Sequence, residues 1–244
     1  MIRLIIIFTT LISIQISSSA QNIYELNYGT ESLIGTSVLA LYGFNEPIKS
    51  QLRAFSIDEL NSLSTFNIPN WDRFGIGLWN PRASNRSDLL VYSSALLGAS
   101  AALIPTLISR KWKSSIPAAS VLIEVNLLTI LSTEIVKNIS ARSRPYVYSN
   151  LAPISLRTSI DGRKSFFSGH TSLSAANSFY AAKVFSDHYP NSRLKPLVWA
   201  VAAVIPAITA YNRVVSGEHF LSDVLVGYSF GAIIGYTIPL MHVD

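Results

Sequence analysis

LLVYSSALLGASAALIPTLI, residues 89–108, decides the fold: it runs for twenty residues without a charge. At 1.5 Å per residue, a helix of that length crosses ~30 Å of hydrocarbon. Outward from it the pattern repeats. Residues 116–136 form a long, largely apolar stretch interrupted by the charges of Glu124 and Glu134; residues 171–185 are weaker, rich in Ala and Ser, with Lys183 near the end. Residues 196–211 and 224–241 are again uncharged. The composition agrees, with 49% hydrophobic and 14% charged residues and a mean hydropathy of +0.35, against about 25% charged in an ordinary soluble domain. No alternation long enough for a barrel is present. The expectation is an all-α, membrane-embedded bundle of about five to six helices, with about five transmembrane helices in residues 88–244.

Before the spans, residues 1–20 read as a signal peptide: Arg3, an apolar run from residue 4 to 12, then Ser17, Ser18, Ser19 and Ala20, with retention as an uncleaved anchor the alternative. Residues 21–87 are then an exported N-terminal region. Its apolar stretch, 33–44, is short for a span and is expected to lie at the membrane surface or against the bundle. Basic residues in short loops stay cytoplasmic. Arg110, Lys111 and Lys113 lie between the first two spans, and Arg193 and Lys195 between the third and fourth. The opposite helix ends then face outward.

Several function classes fall away. The chain has no cysteine, which removes thiolate chemistry and Cys-ligated zinc. Its four histidines sit in no local cluster with metal-ligand spacing, so neither a metal nor another cofactor is expected. The net charge of +5 comes from scattered residues, without the basic stripe of a nucleic-acid binder, so no nucleic-acid partner is expected.

Three segments break the apolar pattern, all at the expected outer end: 137–145, 167–172 and 213–223. Lys137, Arg144 and Arg213 bring three cations there. Side by side without an anion they would repel by ~4 kcal/mol per pair at 4 Å and an effective dielectric near 20. A phosphate removes that repulsion, and Arg offers it a bidentate fork. Ser168 and Gly169 open a helix whose free N–H groups favour an anion, with His170 beside them. His219 and Asp223 are four apart, so on one helix they share a face and the carboxylate could orient the imidazole for attack.

Together these segments resemble the tripartite signature of the type 2 phosphatidic acid phosphatase superfamily, which includes class A acid phosphatases and vanadium haloperoxidases. Lys-x6-Arg-Pro matches at Lys137, Arg144 and Pro145. Pro-Ser-Gly-His matches at Ser168, Gly169 and His170, with Phe167 in place of proline. Ser-Arg-x5-His-x3-Asp matches at Arg213, His219 and Asp223, with Asn212 in place of serine. The resemblance implies a metal-independent phosphatase in which His219 is the nucleophile, Asp223 orients it and His170 is the general acid. Lys137, Arg144, Ser168, Gly169 and Arg213 would hold the phosphate. With spans around the site, the implied substrate is a lipid phosphate or diphosphate, and the implied location is the bacterial inner membrane with the site facing the exterior. Rival readings are a soluble exported acid phosphatase, a vanadate-dependent haloperoxidase and a non-catalytic phosphate-binding membrane protein. Glu124 reads as a hydrogen-bonded or protonated bundle residue and Glu134 as a partner of Lys137, while His188 and His242 carry no assigned role.

Overall fold

The computed structural model of the chain describes residues 23–243; the expected signal peptide, residues 1–20, lies outside them. Helices follow in the order α1 (Tyr28–Lys49), α2 (Ile57–Ser62), α3 (Pro81–Ala102), α4 (Ile104–Ser109), α5 (Ile116–Ser140), α6 (Ile154–Arg157), α7 (Gly169–His188), α8 (Lys195–Val215) and α9 (Leu221–Leu240). The one β feature among the described residues is an isolated bridge between Tyr24 and Val243.

Local chemistry sets the boundaries. Asn80 caps α3 by accepting from the Ala83 N–H, and Pro81 follows at a position where its missing N–H costs nothing. The apolar stretch 89–108 is divided: α3 stops at Ala102, and Pro105, which has no N–H to donate, sits in the short α4. α5 ends where Ala141 turns left-handed at φ 44°, which redirects the chain into the Arg142–Arg144 segment.

Among the described residues, four segments are long and apolar enough to cross a membrane: Pro81–Ser109, Trp112–Tyr148, Lys195–Val215 and Leu221–Leu240. Outward they present side chains such as Leu96, Ile123, Val204 and Ile233. The protein is a multi-pass membrane protein. The expected third span, now α7, is not among the four. It runs through the middle of the bundle, packed on α3, α5, α8 and α9. Protein surrounds it in place of lipid, so it buries Ser172, Ser174, Asn177 and Ser178, and their hydroxyls and amides lower its apolarity.

The tightest packing is between α7 and α9. A Cβ on Gly227, Gly231 or Gly235 would stand 2.6, 2.0 or 2.2 Å from the carbonyl oxygens of Ser168, Ser172 and Ala176 respectively. Small residues every fourth position thus let two backbones touch, the usual way helices gain dispersion energy in lipid. Polar clamps tie the remaining helices to α7: Asn177 and Asn126 exchange amide hydrogen bonds of 2.9 and 3.2 Å, and Ser174 meets Thr209 at 3.1 Å.

α1 takes the second of the two places expected for its apolar stretch. Residues 33–44 are the middle of a 22-residue helix that packs along α5 on the side of the bundle. The same 93-residue offset pairs Asn45 with Asn138 at one end and Glu31 with Glu124 at the other. Thr30, Glu31, Ser37 and Asn45 interrupt its apolar run, so hydropathy alone undervalues it. Its start lies with the basic-loop end of the bundle, since the Tyr24 hydroxyl donates to Asp187 at 2.6 Å. The exported N-terminal region expected from the sequence therefore begins at the end opposite the three motif segments.

Candidate active site

All three motif segments meet at one end of the bundle, and each helix terminus there delivers a specific group. Lys137 comes from the last turn of α5 and is buried. Arg144 follows the Ala141 turn; Arg213 comes from the last turn of α8. Ser168 caps α7, its hydroxyl accepting from the Thr171 N–H, and its own N–H donates to the Asp223 carbonyl at 3.0 Å. Gly169 lies in close approach to its neighbours: a Cβ there would sit 3.1 Å from the Lys137 ammonium and 3.3 Å from the Thr133 side chain, and both would have to give slightly. Gly217 is required twice over. Its φ is +76°, and a Cβ would fall 2.0 Å from the Leu78 carbonyl.

His219 precedes α9 rather than lying on it, because Phe220 is the helix cap. That changes its partner. Its Nδ1 donates to the Ser165 carbonyl at 2.7 Å, while Asp223 Oδ2 is 3.7 Å away, beyond hydrogen-bond range. The expected direct His219–Asp223 bond is thus replaced by an indirect arrangement. Asp223 accepts from the Ser165 hydroxyl at 2.6 Å and from the Phe220 N–H at 2.8 Å, and it pairs with Arg142. It fixes the loop whose carbonyl fixes the imidazole. A carbonyl can only accept, so Nδ1 carries the proton and Nε2 keeps its lone pair in the neutral ring. Burial, and then the charges of Arg144, Arg213 and Lys137, hold His219 well below the ordinary histidine range. It is a neutral imidazole among cations.

The same three cations act on His170, whose Nε2 lies 2.8 Å from Asp88 Oδ1 on α3. Both imidazoles therefore belong to one site.

The cations do not stand without an anion, as the sequence had suggested. Glu218 bridges Arg144 and Arg213, the latter at 3.2 Å. Asp161 takes a second edge of Arg144 at 2.9 Å, and Glu134 holds both Lys137 at 3.3 Å and Lys164 at 3.2 Å. The pairing expected between Glu134 and Lys137 is present. Arg213 Nη1 reaches Ser84 and Ser87, each at 3.2 Å, while its Nε is buried without a partner. Asp88, Asp161 and Ser165 escaped the sequence reading because they lie outside the motifs; Arg142 and Glu218 lie within the motif segments, close in the chain to Arg144 and His219. Arg142 joins Asp223 to the buried Asp72, which also accepts from the Ser222 N–H at 2.9 Å. This anchors the 50–80 segment beside the site.

The two departures from the signature have local explanations. Phe167 is buried, with its ring centroid 5.1 Å from that of Phe230, so it packs α7 on α9. Asn212 returns its side chain to the Ile208 carbonyl at 2.8 Å and leaves the site untouched.

Comparison with known proteins agrees with this geometry. The PAP2 superfamily model matches residues 118–244. A PA-phosphatase related-family protein of Dictyostelium discoideum is 35% identical over 132 residues, 51% of this chain and 48% of that protein. Lipid A 4'-phosphatase of Porphyromonas gingivalis is 27% identical over 122 residues, 49% of this chain and 48% of the relative. The chain thus spans about half the length of these curated relatives. Among solved structures, a transmembrane PAP2-type phosphatidylglycerolphosphate phosphatase from Bacillus subtilis shares the fold at a TM-score of 0.51. It is 19% identical, with 84% of this chain and 94% of that one covered. From motif, geometry and family match together, the chain belongs to the PAP2 superfamily.

Proposed function

We propose that the protein is a lipid phosphate phosphatase that works through a phosphohistidine at His219. The observation that carries this is the fixed tautomer: Nδ1 is held by the Ser165 carbonyl, so Nε2 is the free electron pair among Lys137, Arg144 and Arg213. In the first step Nε2 forms a bond to phosphorus as the ester P–O bond breaks. His170, with Asp88 as its partner, gives the leaving oxygen a proton. In the second, His170 takes a proton from water, the oxygen attacks phosphorus, the P–N bond breaks and inorganic phosphate departs. Lys137, Arg144, Arg213, Ser168 and the Gly169 N–H stabilise the equatorial oxygens as charge moves. Three cations fill the role a metal ion often has at phosphate, so the chemistry itself requires none.

An apolar cavity of about 500 Å³ between α8 and α9 supports a lipid substrate. It is lined by Tyr211, Val214, Leu221, Val224, Leu225 and Tyr228, and Val214 adjoins Arg213 in the chain. The decisive experiment incubates purified protein with phosphatidate, phosphatidylglycerol phosphate, undecaprenyl diphosphate and lipid A phosphate. Release of phosphate from at least one, lost in His219→Ala, is the expected result; no release from any of them overturns the reading.

The basic loops at the far end support a site that faces the exterior, which in a bacterium would be the periplasmic face of the inner membrane. Since the native chain has no cysteine, single cysteines at Asn80 and Ser114 report this directly. An impermeant maleimide should label the first and spare the second.

A further inference from the structure

At the end of the bundle remote from the phosphate site, the tertiary fold gathers Glu31 of α1, Glu124 of α5 and His242, just beyond α9. One ligand atom from each lies within 4.8 Å of the others. We propose that these three side chains bind a zinc ion that clips α1 and the C-terminal segment to α5.

The sequence offered no local cluster, because its donors are 93 and 118 residues apart in the chain. The geometry is nonetheless specific. His242 Nδ1 donates to the Ile238 carbonyl at 2.9 Å, which leaves Nε2 as an electron-pair donor in the neutral ring. This is the carbonyl–imidazole arrangement that orients metal-bound histidines. Nε2 lies 3.1 Å from Glu31 Oε1 and 3.3 Å from Glu124 Oε2. In a tetrahedral site with metal–ligand bonds of ~2.0–2.1 Å, neighbouring ligand atoms are ~3.3–3.4 Å apart. The two separations from His242 Nε2 are already at about that spacing, and the two carboxylate oxygens lie within 4.8 Å of each other.

The second observation is Glu124 Oε2, which is buried and has no hydrogen-bond partner although it points at the cluster; the residue as a whole is 9% exposed. An orphaned carboxylate oxygen inside a membrane bundle is costly unless a cation meets it. A proton on His242 would leave the group with a net negative charge. A divalent ion with two carboxylates and a neutral imidazole makes it neutral. Two oxygen donors and one imidazole at tetrahedral spacing suit zinc better than magnesium or calcium, which require more ligands in wider shells. The adjoining segment is built to be held: the Glu25 N–H donates to the His242 carbonyl at 2.9 Å, next to the Tyr24–Val243 bridge.

The test uses the purified full chain, without a metal-binding tag, stripped with chelator and dialysed against zinc chloride. Wild type should hold about one zinc per chain and melt at a higher temperature with zinc than without it. His219→Ala should hold the same amount, showing that the phosphate-site histidine is not the ligand. Glu124→Gln and Glu31→Gln, which keep shape and lose only charge, should bind zinc at least roughly tenfold more weakly. Cobalt in place of zinc should give the visible absorption of a tetrahedral ion in wild type and lose it in Glu124→Gln. Wild type that holds no zinc, or zinc and cobalt binding equal in wild type and both glutamine variants, overturns the proposal; the cluster is then held by a proton.

Discussion

The two ends of the bundle use one device for opposite ends. At each, a histidine Nδ1 is tied to a backbone carbonyl, Ser165 for His219 and Ile238 for His242, and the ring is buried. What differs is the company of Nε2. At the motif end it faces Lys137, Arg144 and Arg213, and the site suits an anion and a nucleophile. At the far end it faces Glu31 and Glu124, and the site suits a cation and a ligand. On the two proposals above, the same imidazole tautomer would serve as a reagent or a clip according to the sign of the charges around it.

Changing the ends separately should break that comparison most visibly. His219→Ala removes the proposed nucleophile and should lower kcat/KM by about 10⁴ or more, measured as phosphate release, while the fold at the far end stays intact. A smaller and shared effect is expected at the seam between α7 and α9, because these helices bring groups to both ends. Gly231→Val puts a side chain 2.0 Å from a backbone oxygen, and a loss of roughly 2–4 kcal/mol is expected. Thermal melting in detergent checks it.

Glu218 sharpens the comparison from inside the anion site. Its carboxylate occupies the guanidinium edges of Arg144 and Arg213 that a phosphate would use. Glu218→Gln should therefore tighten inhibition by inorganic phosphate by about tenfold, equivalent to ~1.4 kcal/mol, and lower the melting temperature, since two buried guanidinium groups lose a counter-charge. Unchanged phosphate inhibition would mean that Glu218 does not compete.

The smallest effect is on pH. Protonation of His219 would abolish its nucleophilicity, and burial among cations holds it neutral to well below the ordinary range. The acid limb of kcat/KM should therefore lie below ~6.5, the value for a free imidazole. The sign for stability follows: the unfolded chain takes up a proton that the folded chain refuses. The His219 contribution is complete above ~6.5 and is lost as pH falls towards the lower folded-state value. Urea unfolding at a series of pH values would measure it.

Much of the site was legible in the chain because its segments carry unusual polar residues at the ends of apolar runs, where charge has no cheap structural excuse. Lys137, Arg144, Ser168, Gly169, His170, Arg213 and His219 converge as that reading implied. Asp223 is present but acts at one remove: His219 lies outside the helix, so four-residue spacing does not bring the two into contact. The far cluster was invisible for a related reason. Its members are isolated in sequence, and the sole hint was Glu124, a carboxylate inside a span.

Hydrophobic length and charge placement by themselves determined a helical membrane bundle with a cationic, histidine-bearing end, because the cost of burying charge in lipid leaves a one-dimensional record. Tertiary structure alone decided which way α1 runs, which carbonyl orients each histidine, which carboxylates balance the cations, and that α7 is shielded by its neighbours. Each of those depends on residues far apart in the chain meeting across helices, and pairing between distant residues leaves no periodic trace in either one's own segment.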